Sequence, residues 1–168
     1  PHNPSSSYSG LTPSQLTSLS SLPPGPEKIK ALGSMMGVRQ YDSNPRAAIL
    51  VDFYWYNLEF CGESGFGEGE TLAFFGIMRE VFELVVEGGG DGEGGFAKFK
   101  EEVLLHFRDP GQVKKIMSYV STSFFRNVKA YKYVFENGRE DREEVRGIVV
   151  ETPIVGGGLE GAVLLGGD

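Results

Sequence analysis

Apolar side chains recur every three to four positions in four segments between residues 44 and 135, which is the period of an α-helix. The segments span 44–62, 70–87, 96–107 and 112–135. In the first, Asn44-Pro45 supplies an N-cap and a first-turn proline, and apolar residues cover most of the helix circumference. We therefore predict that this helix is the central one. The pattern predicts an all-α fold, a compact bundle of about four helices with extended or disordered N- and C-terminal tails.

The fourth segment, 112–135, predicts a single helix about 36 Å long, at about 1.5 Å per residue, that ends at Asn137-Gly138. One side carries an apolar stripe suited to the core, and the other side carries basic residues. Three aromatic residues, Tyr119, Phe125 and Tyr133, fall outside the stripe on the basic side. We predict that this side binds a partner with an acidic surface through Lys115, Tyr119, Phe125, Arg126, Lys129, Lys132 and Tyr133.

The segments outside these helices predict a division of the chain into three parts. Residues 1–43 form a Ser/Pro-rich tail and linker with room for short docking helices, the first of them after Thr12-Pro13. Residues 1–26 carry no charge, and we expect them to bury too little apolar surface to order without a partner. Residues 44–137 form the helical domain. Within it, the glycine-rich stretch 88–95 is predicted to be a flexible spacer.

Residues 138–168 are predicted to be a charged linker and an extended, glycine-rich docking tail. The stretch GIVVETPIV at 147–155 has the β-branched composition of a strand, but the chain offers no second strand to pair with it. An unpaired apolar strand favours docking on another protein. We therefore add four residues to the predicted interface: Ile148, Val149, Val150 and Ile154.

The net charge of −7 argues against partners that are themselves strongly anionic. The whole molecule repels phosphate backbones and anionic lipid, so we predict no nucleic-acid and no membrane partner. Cys61 is the only cysteine, which excludes a disulfide within the chain and favours a reducing, cytoplasmic compartment. The sequence starts at Pro1 instead of Met, so we expect the natural chain to begin further upstream.

No residue pattern in the chain supports catalysis. The glycines of G-x-G-x-x-G at Gly156, Gly158 and Gly161 lack the following helix and second strand that a nucleotide site needs. Asp52 and Glu59 share one helix face, as paired carboxylates could, but a solvated strip explains them as well. Neither histidine has metal-ligand spacing. We predict a protein that is not an enzyme, with no catalytic residue, no cofactor and no metal.

A calmodulin target is the alternative function for the fourth segment. Basic amphipathic helices are typical calmodulin ligands, and Met117, Phe124 and Ala130 follow a 1-8-14 spacing. In this hypothesis residues 112–135 leave the core and bind calcium-loaded calmodulin. A third hypothesis, nucleic-acid binding by the basic side, predicts an affinity that falls steeply with salt.

Two motifs in sequence order resemble those of a known family. The chain resembles the small, calmodulin-associated subunits of a projection on the C1 microtubule of the ciliary and flagellar central apparatus. The first motif, in ILVDFYWYNLEFC, matches at Ile49, Leu50, Asp52, Phe53, Tyr54, Tyr56, Phe60 and Cys61. The second lies after two further helices and matches at Tyr131, Lys132, Tyr133, Val134 and Phe135.

The resemblance implies a non-enzymatic structural subunit of motile cilia that contributes to the regulation of beating through protein contacts. Its implied partners are other central-apparatus subunits, namely a large scaffold protein and related small subunits, together with calmodulin. Microtubule association is expected to be indirect. The implied location is the cytoplasm and cytoskeleton, in the central pair of the axoneme.

Overall fold

A computed structural model describes residues 10–144 of the chain, with side chains from residue 10 to residue 136. Within this range the chain is helical and contains no strand, which confirms the all-α prediction. There are more helices than the four expected. They are α1 (Pro13–Ser21), α2 (Pro26–Met35), α3 (Pro45–Glu63), α4 (Glu68–Phe82), α5 (Gly92–His106), α6 (Pro110–Ser123) and α7 (Val128–Glu144). A π-helical turn, Glu83–Glu87, extends α4, and a 3₁₀ turn, Phe125–Asn127, precedes α7.

Short polar side chains begin these helices where the sequence predicts them. The Asn44 Oδ1 atom accepts a hydrogen bond from the backbone N–H of Arg46 at 3.0 Å, just ahead of the first-turn proline of α3. Thr12 forms a capping box with Gln15 at the start of α1. Such caps satisfy backbone donors that have no partner inside the helix. The predicted starts of α1 and α3 are therefore confirmed.

The central helix is α4, and the prediction that α3 would be central is wrong. Phe74, Val81 and Phe82 of α4 are all fully buried, and α4 contacts α1, α3 and α5. On α3, by contrast, Tyr56 is 60% exposed. Tyrosine and tryptophan count as apolar on a helical wheel, but their polar ends tolerate water. The wide apolar arc of α3 therefore overstated how many of its sides are covered.

The two N-terminal helices pack on the same core as the rest of the chain. Leu19 of α1 and Leu32 of α2 are fully buried and belong to one hydrophobic cluster with the side chains of α4. The expectation that the residues before 26 could not order without a partner is therefore wrong for residues 10–26. Their leucines lie at helical spacing, so a few side chains suffice to anchor a short helix. The domain boundary at residue 44 stays a prediction.

The glycine-rich stretch is not a spacer along its whole length. Asp91 caps α5 by accepting a hydrogen bond from the N–H of Gly94, and residues 92–95 are already helical. Gly95 is buried against the π-helical turn, where an added Cβ would lie 2.1 Å from a methyl group of Val85. The missing side chain at Gly95 therefore permits the close approach of α5 to that turn.

The predicted single helix over 112–135 is also wrong, because α6 ends at Ser123 and the 3₁₀ turn interrupts the helix. Consecutive residues of a straight helix point about 100° apart. The break lets two consecutive aromatic residues pack against different partners. Phe124 packs against Phe53, and Phe125 packs against Phe99. Beyond the break, α7 runs past the predicted stop at Asn137-Gly138 to Glu144. Arg and Glu, which favour helices, dominate its last turns.

Among the described residues, the structure forms no helix with the length and apolar content needed to cross a bilayer.

Candidate protein interface

Three of the exposed residues of the predicted interface lie on the 3₁₀ turn and α7. Lys129 and Tyr133 are four residues apart on α7, so they share one side of the helix, and Arg126 precedes Lys129 by three positions. All three side chains are exposed, with 67% of Tyr133 accessible. Arg126, Lys129 and Tyr133 are called the α7 face below. Lys115 is also exposed, on α6.

Two aromatic residues predicted for the interface pack inside the molecule. The ring of Tyr119 stacks on Phe60 with centroids 4.0 Å apart, and its hydroxyl donates to the Asn57 Oδ1 atom at 3.3 Å. The ring of Phe125 contacts Phe96 edge-on at 5.2 Å. Both residues are partly buried, and their rings pack against α3 and α5.

Lys132 is half-buried and hydrogen-bonded within the chain, where its Nζ atom donates to the carbonyl oxygen of Gly90. It links α7 to the glycine turn before α5. The remaining predicted interface residues, Ile148, Val149, Val150 and Ile154, lie outside the described residues. The same is true of the glycine motif at 156–161. The structure therefore brings together three of the predicted interface residues on the α7 face.

A groove beside α3 was not predicted from the sequence. It has a volume of about 490 Å³ and lies between α3 and the region of α6, the 3₁₀ turn and α7. Aromatic rings form its floor, among them Phe60, Tyr119 and Tyr131. Its exposed rim carries Tyr56, Glu59 and Glu63. This site is called the α3 groove below. Its residues are Phe53, Tyr56, Asn57, Glu59, Phe60, Glu63, Tyr119, Ser123, Phe124, Asn127 and Tyr131.

Burial and acidic neighbours set the electrostatics of the α3 groove. Burial, with a smaller contribution from the Glu59 carboxylate, raises the pKa of Tyr119 to about 12. Burial also raises the pKa of Tyr131, and the negative charge of Asp52 adds to this effect. Both hydroxyls are thus protonated at neutral pH, and the negative charge at the groove comes from the carboxylates.

Asn57 is the one polar residue in the α3 groove that is deeply buried, with 2% of its surface exposed. Its Oδ1 atom accepts from Tyr119, but its Nδ2 atom is buried and has no hydrogen-bond acceptor among residues 10–136. An amide left without a partner is costly, so it points to an acceptor from outside these described residues. The sequence feature that could have indicated this position is the single amide side chain among the aromatic residues of α3.

The groups considered for catalysis lie in ordinary structural surroundings. Burial raises the pKa of the Cys61 thiol to about 12, so at neutral pH it is not a thiolate. Asp52 and Glu59 are exposed on α3, as expected for a solvated strip. Between residues 10 and 136, where side chains are described, the structure groups no three His, Cys, Asp or Glu side chains that could hold a metal ion.

Comparison with known proteins identifies the family of the chain. Residues 56–142, just over half of the chain, match the model of the CLAMP family, described as flagellar C1a complex subunit C1a-32. The match runs from the second half of α3 into α7 and covers the α7 face and all of the α3 groove except Phe53. No curated protein matches the chain.

The family confirms the resemblance drawn from the two motifs, and with it the location in the central apparatus of the cilium or flagellum. The chain belongs to the CLAMP family of flagellar C1a complex subunits, a family of C1 central-apparatus projection proteins.

Proposed function

We propose that the chain is a non-enzymatic assembly subunit that joins the central-apparatus projection through its α7 face. Through that role it contributes to the regulation of ciliary beating. The observation that carries the proposal is the exposure of Tyr133, 67% of which is accessible beside Lys129 on a helix whose opposite side is buried. A tyrosine held on a rigid helix loses little conformational freedom when a partner covers it.

The composition of the α7 face fits a protein partner with an acidic surface. Tyrosine and arginine are enriched among the residues that dominate binding energy at protein interfaces. Arg126 and Lys129 place positive charge on the α7 face together with Tyr133, although the whole chain has a net charge of −7. A local basic patch on an acidic protein favours one docking orientation over others.

The proposed partners are the large scaffold protein and the related small subunits of the same projection. Microtubule contact is proposed to be indirect, through those subunits. The contribution to beating is proposed to follow from the assembly of the projection. The predicted docking residues Ile148, Val149, Val150 and Ile154 would add a second attachment.

The test uses the full chain and the C1a complex from flagella that lack this subunit. Wild-type chain should co-purify with the complex, whereas the double variant Lys129→Glu/Tyr133→Ala should be lost from it. Lys100→Glu, an exposed charge reversal on α5, is the matched control and should co-purify normally. Equal recovery of the double variant and the wild type would contradict the proposal.

Calmodulin binding through residues 112–135 stays a prediction. In the folded chain Phe124 is 1% exposed, and Ile116 and Val120 are fully buried. A calmodulin complex of the proposed kind would have to extract these side chains from the core. Direct binding therefore requires α6 and α7 to open, and calorimetry of the intact chain with calcium-loaded calmodulin tests this.

A further inference from the structure

Three features of the α3 groove indicate the chemistry of the ligand that would fit it. Its floor is aromatic, its rim is acidic, and the Nδ2 atom of Asn57 in its lining has no acceptor in the part of the chain that the structure describes. Each feature selects a different part of the ligand. The groove is also separate from the α7 face, because neither Lys129 nor Tyr133 lines it.

The acidic rim selects positive charge. Glu59 and Glu63 are exposed and four residues apart, so they lie on one side of α3 with Tyr56 near them. Among the described residues, no lysine or arginine lines the groove. The rings of Tyr56, Tyr119 and Tyr131 favour arginine over lysine, because a guanidinium stacks on aromatic rings and also pairs with carboxylates in a planar, bidentate way.

The buried amide selects an exposed backbone carbonyl. The Nδ2 group of Asn57 is a donor, so its missing partner must be an acceptor. Inside a helix the carbonyl groups are already hydrogen-bonded to the backbone. An extended segment, in contrast, offers free carbonyl groups along its length, as peptides bound in grooves do.

We propose that the α3 groove binds an extended, arginine-bearing segment of another protein, with Glu59 and Glu63 pairing its guanidinium groups and Asn57 donating to its backbone. This interaction goes beyond the assembly role of the α7 face and uses different residues. Residues 145–168 of this chain are a poor match for the same site. They carry one basic residue, Arg146, against three acidic ones, Glu151, Glu160 and Asp168.

The first test measures binding of a fluorescent, end-capped peptide of alternating Arg and Leu to the full chain by anisotropy. We expect saturable binding that weakens as salt is added, and no binding of the matching Glu and Leu peptide. The double variant Glu59→Lys/Glu63→Lys should bind about tenfold more weakly. The control Glu93→Lys/Glu101→Lys reverses two exposed acids on α5 and should bind like the wild type.

The second test measures whether the peptide changes the surroundings of the buried Asn57 amide. In nitrogen–proton correlation spectra of the full chain, adding the Arg and Leu peptide should shift the side-chain amide signals of Asn57. Equal affinity in the two double variants, an Asn57 signal that does not move, or the absence of saturable binding would each overturn the proposal. The variant Tyr133→Ala should bind the peptide normally, so loss of the α7 face and loss of the groove can be told apart.

Discussion

The ring of Tyr119 lies parallel to the ring of Phe60, with centroids 4.0 Å apart and planes inclined by 4°. Phe60 belongs to the first family motif on α3, and Tyr119 lies on α6, so the stack joins two helices that are far apart in sequence. The Tyr119 hydroxyl donates to Asn57 on the same helix as Phe60. The stacked pair therefore holds α3 against α6 and also forms part of the floor of the α3 groove.

Replacing Tyr119 with phenylalanine should keep the stack and remove the hydrogen bond. The Oδ1 atom of the buried Asn57 then loses its donor, so we expect the free energy of unfolding to fall by about 1 kcal/mol. Urea denaturation at neutral pH measures this loss. Tyr133→Phe, which removes an exposed hydroxyl, is the control and should change stability by less than about 0.5 kcal/mol. Equal effects of the two changes would contradict the role of the buried hydrogen bond.

Stability should decline at alkaline pH. The pKa of Cys61 is raised to about 12 from a usual value of 9.0, and that of Tyr119 to about 12 from 10.0. The unfolded chain therefore ionises first as pH rises, which favours unfolding. The contribution of these groups is fully present below about pH 9 and is lost progressively up to about pH 12.

Denaturant titrations at a series of pH values check this decline. The stability gap between the wild type and Tyr119→Phe should narrow above about pH 10, because the variant has no hydroxyl to ionise. A gap that stays constant up to pH 12 would show that the hydroxyl of Tyr119 is not protected from ionisation in the folded chain.

Gly95→Ala should destabilise the chain, although alanine favours helices. Its Cβ would lie 2.1 Å from the Val85 methyl group, so α5 or the π-helical turn must move. Overpacking of this kind costs about 1–3 kcal/mol. Gly76→Ala, in α4, is the matched control. Its Cβ would meet nothing within 4 Å, so it should stabilise the chain by about 0.5–1 kcal/mol. Thermal unfolding of both variants decides whether their effects have opposite signs.

Leu19→Ala should lower the free energy of unfolding by about 2–5 kcal/mol, because Leu19 of α1 is fully buried. Leu22→Ala, just after the same helix, removes a half-buried leucine and should cost less. Hydrogen exchange of the α1 amides should rise in the first variant. If Leu19→Ala leaves stability unchanged, α1 does not belong to the core of the isolated chain.

Local sequence signals predicted where α1 and α3 begin but not how the helices fit together. The cap signals at Asn44-Pro45 and Thr12-Pro13 predicted helix starts correctly, because a capping side chain hydrogen-bonds to residues next to it in sequence. The break after Ser123 depends on Phe124 and Phe125 reaching different partners, Phe53 and Phe99, which no local pattern reveals. A helical wheel assumes a straight helix, so the predicted stripe continued through the break.

The residues of the candidate sites also differ in whether the sequence could predict them. The exposed positions Lys129 and Tyr133 follow from helical periodicity on α7, so the sequence predicted them. The sequence wrongly predicted that Tyr119 and Phe125 face outward. They are partly covered by α3 and α5, and a helical wheel does not include contacts between helices. The α3 groove combines residues that are about 60 positions apart, such as Asn57 and Tyr119. A single sequence carries no signal for such a juxtaposition.

Cross-linking of the intact C1a complex with a lysine-reactive reagent, read by mass spectrometry, tests the assembly role most directly. Lys129 on the α7 face and Lys100 on α5 are both exposed, so both react in the isolated chain. We predict that in the complex Lys129 forms cross-links to other subunits, whereas Lys100 forms few or none. Cross-links from Lys100 to other subunits, with Lys129 linked only within its own chain, would contradict an interface on the α7 face.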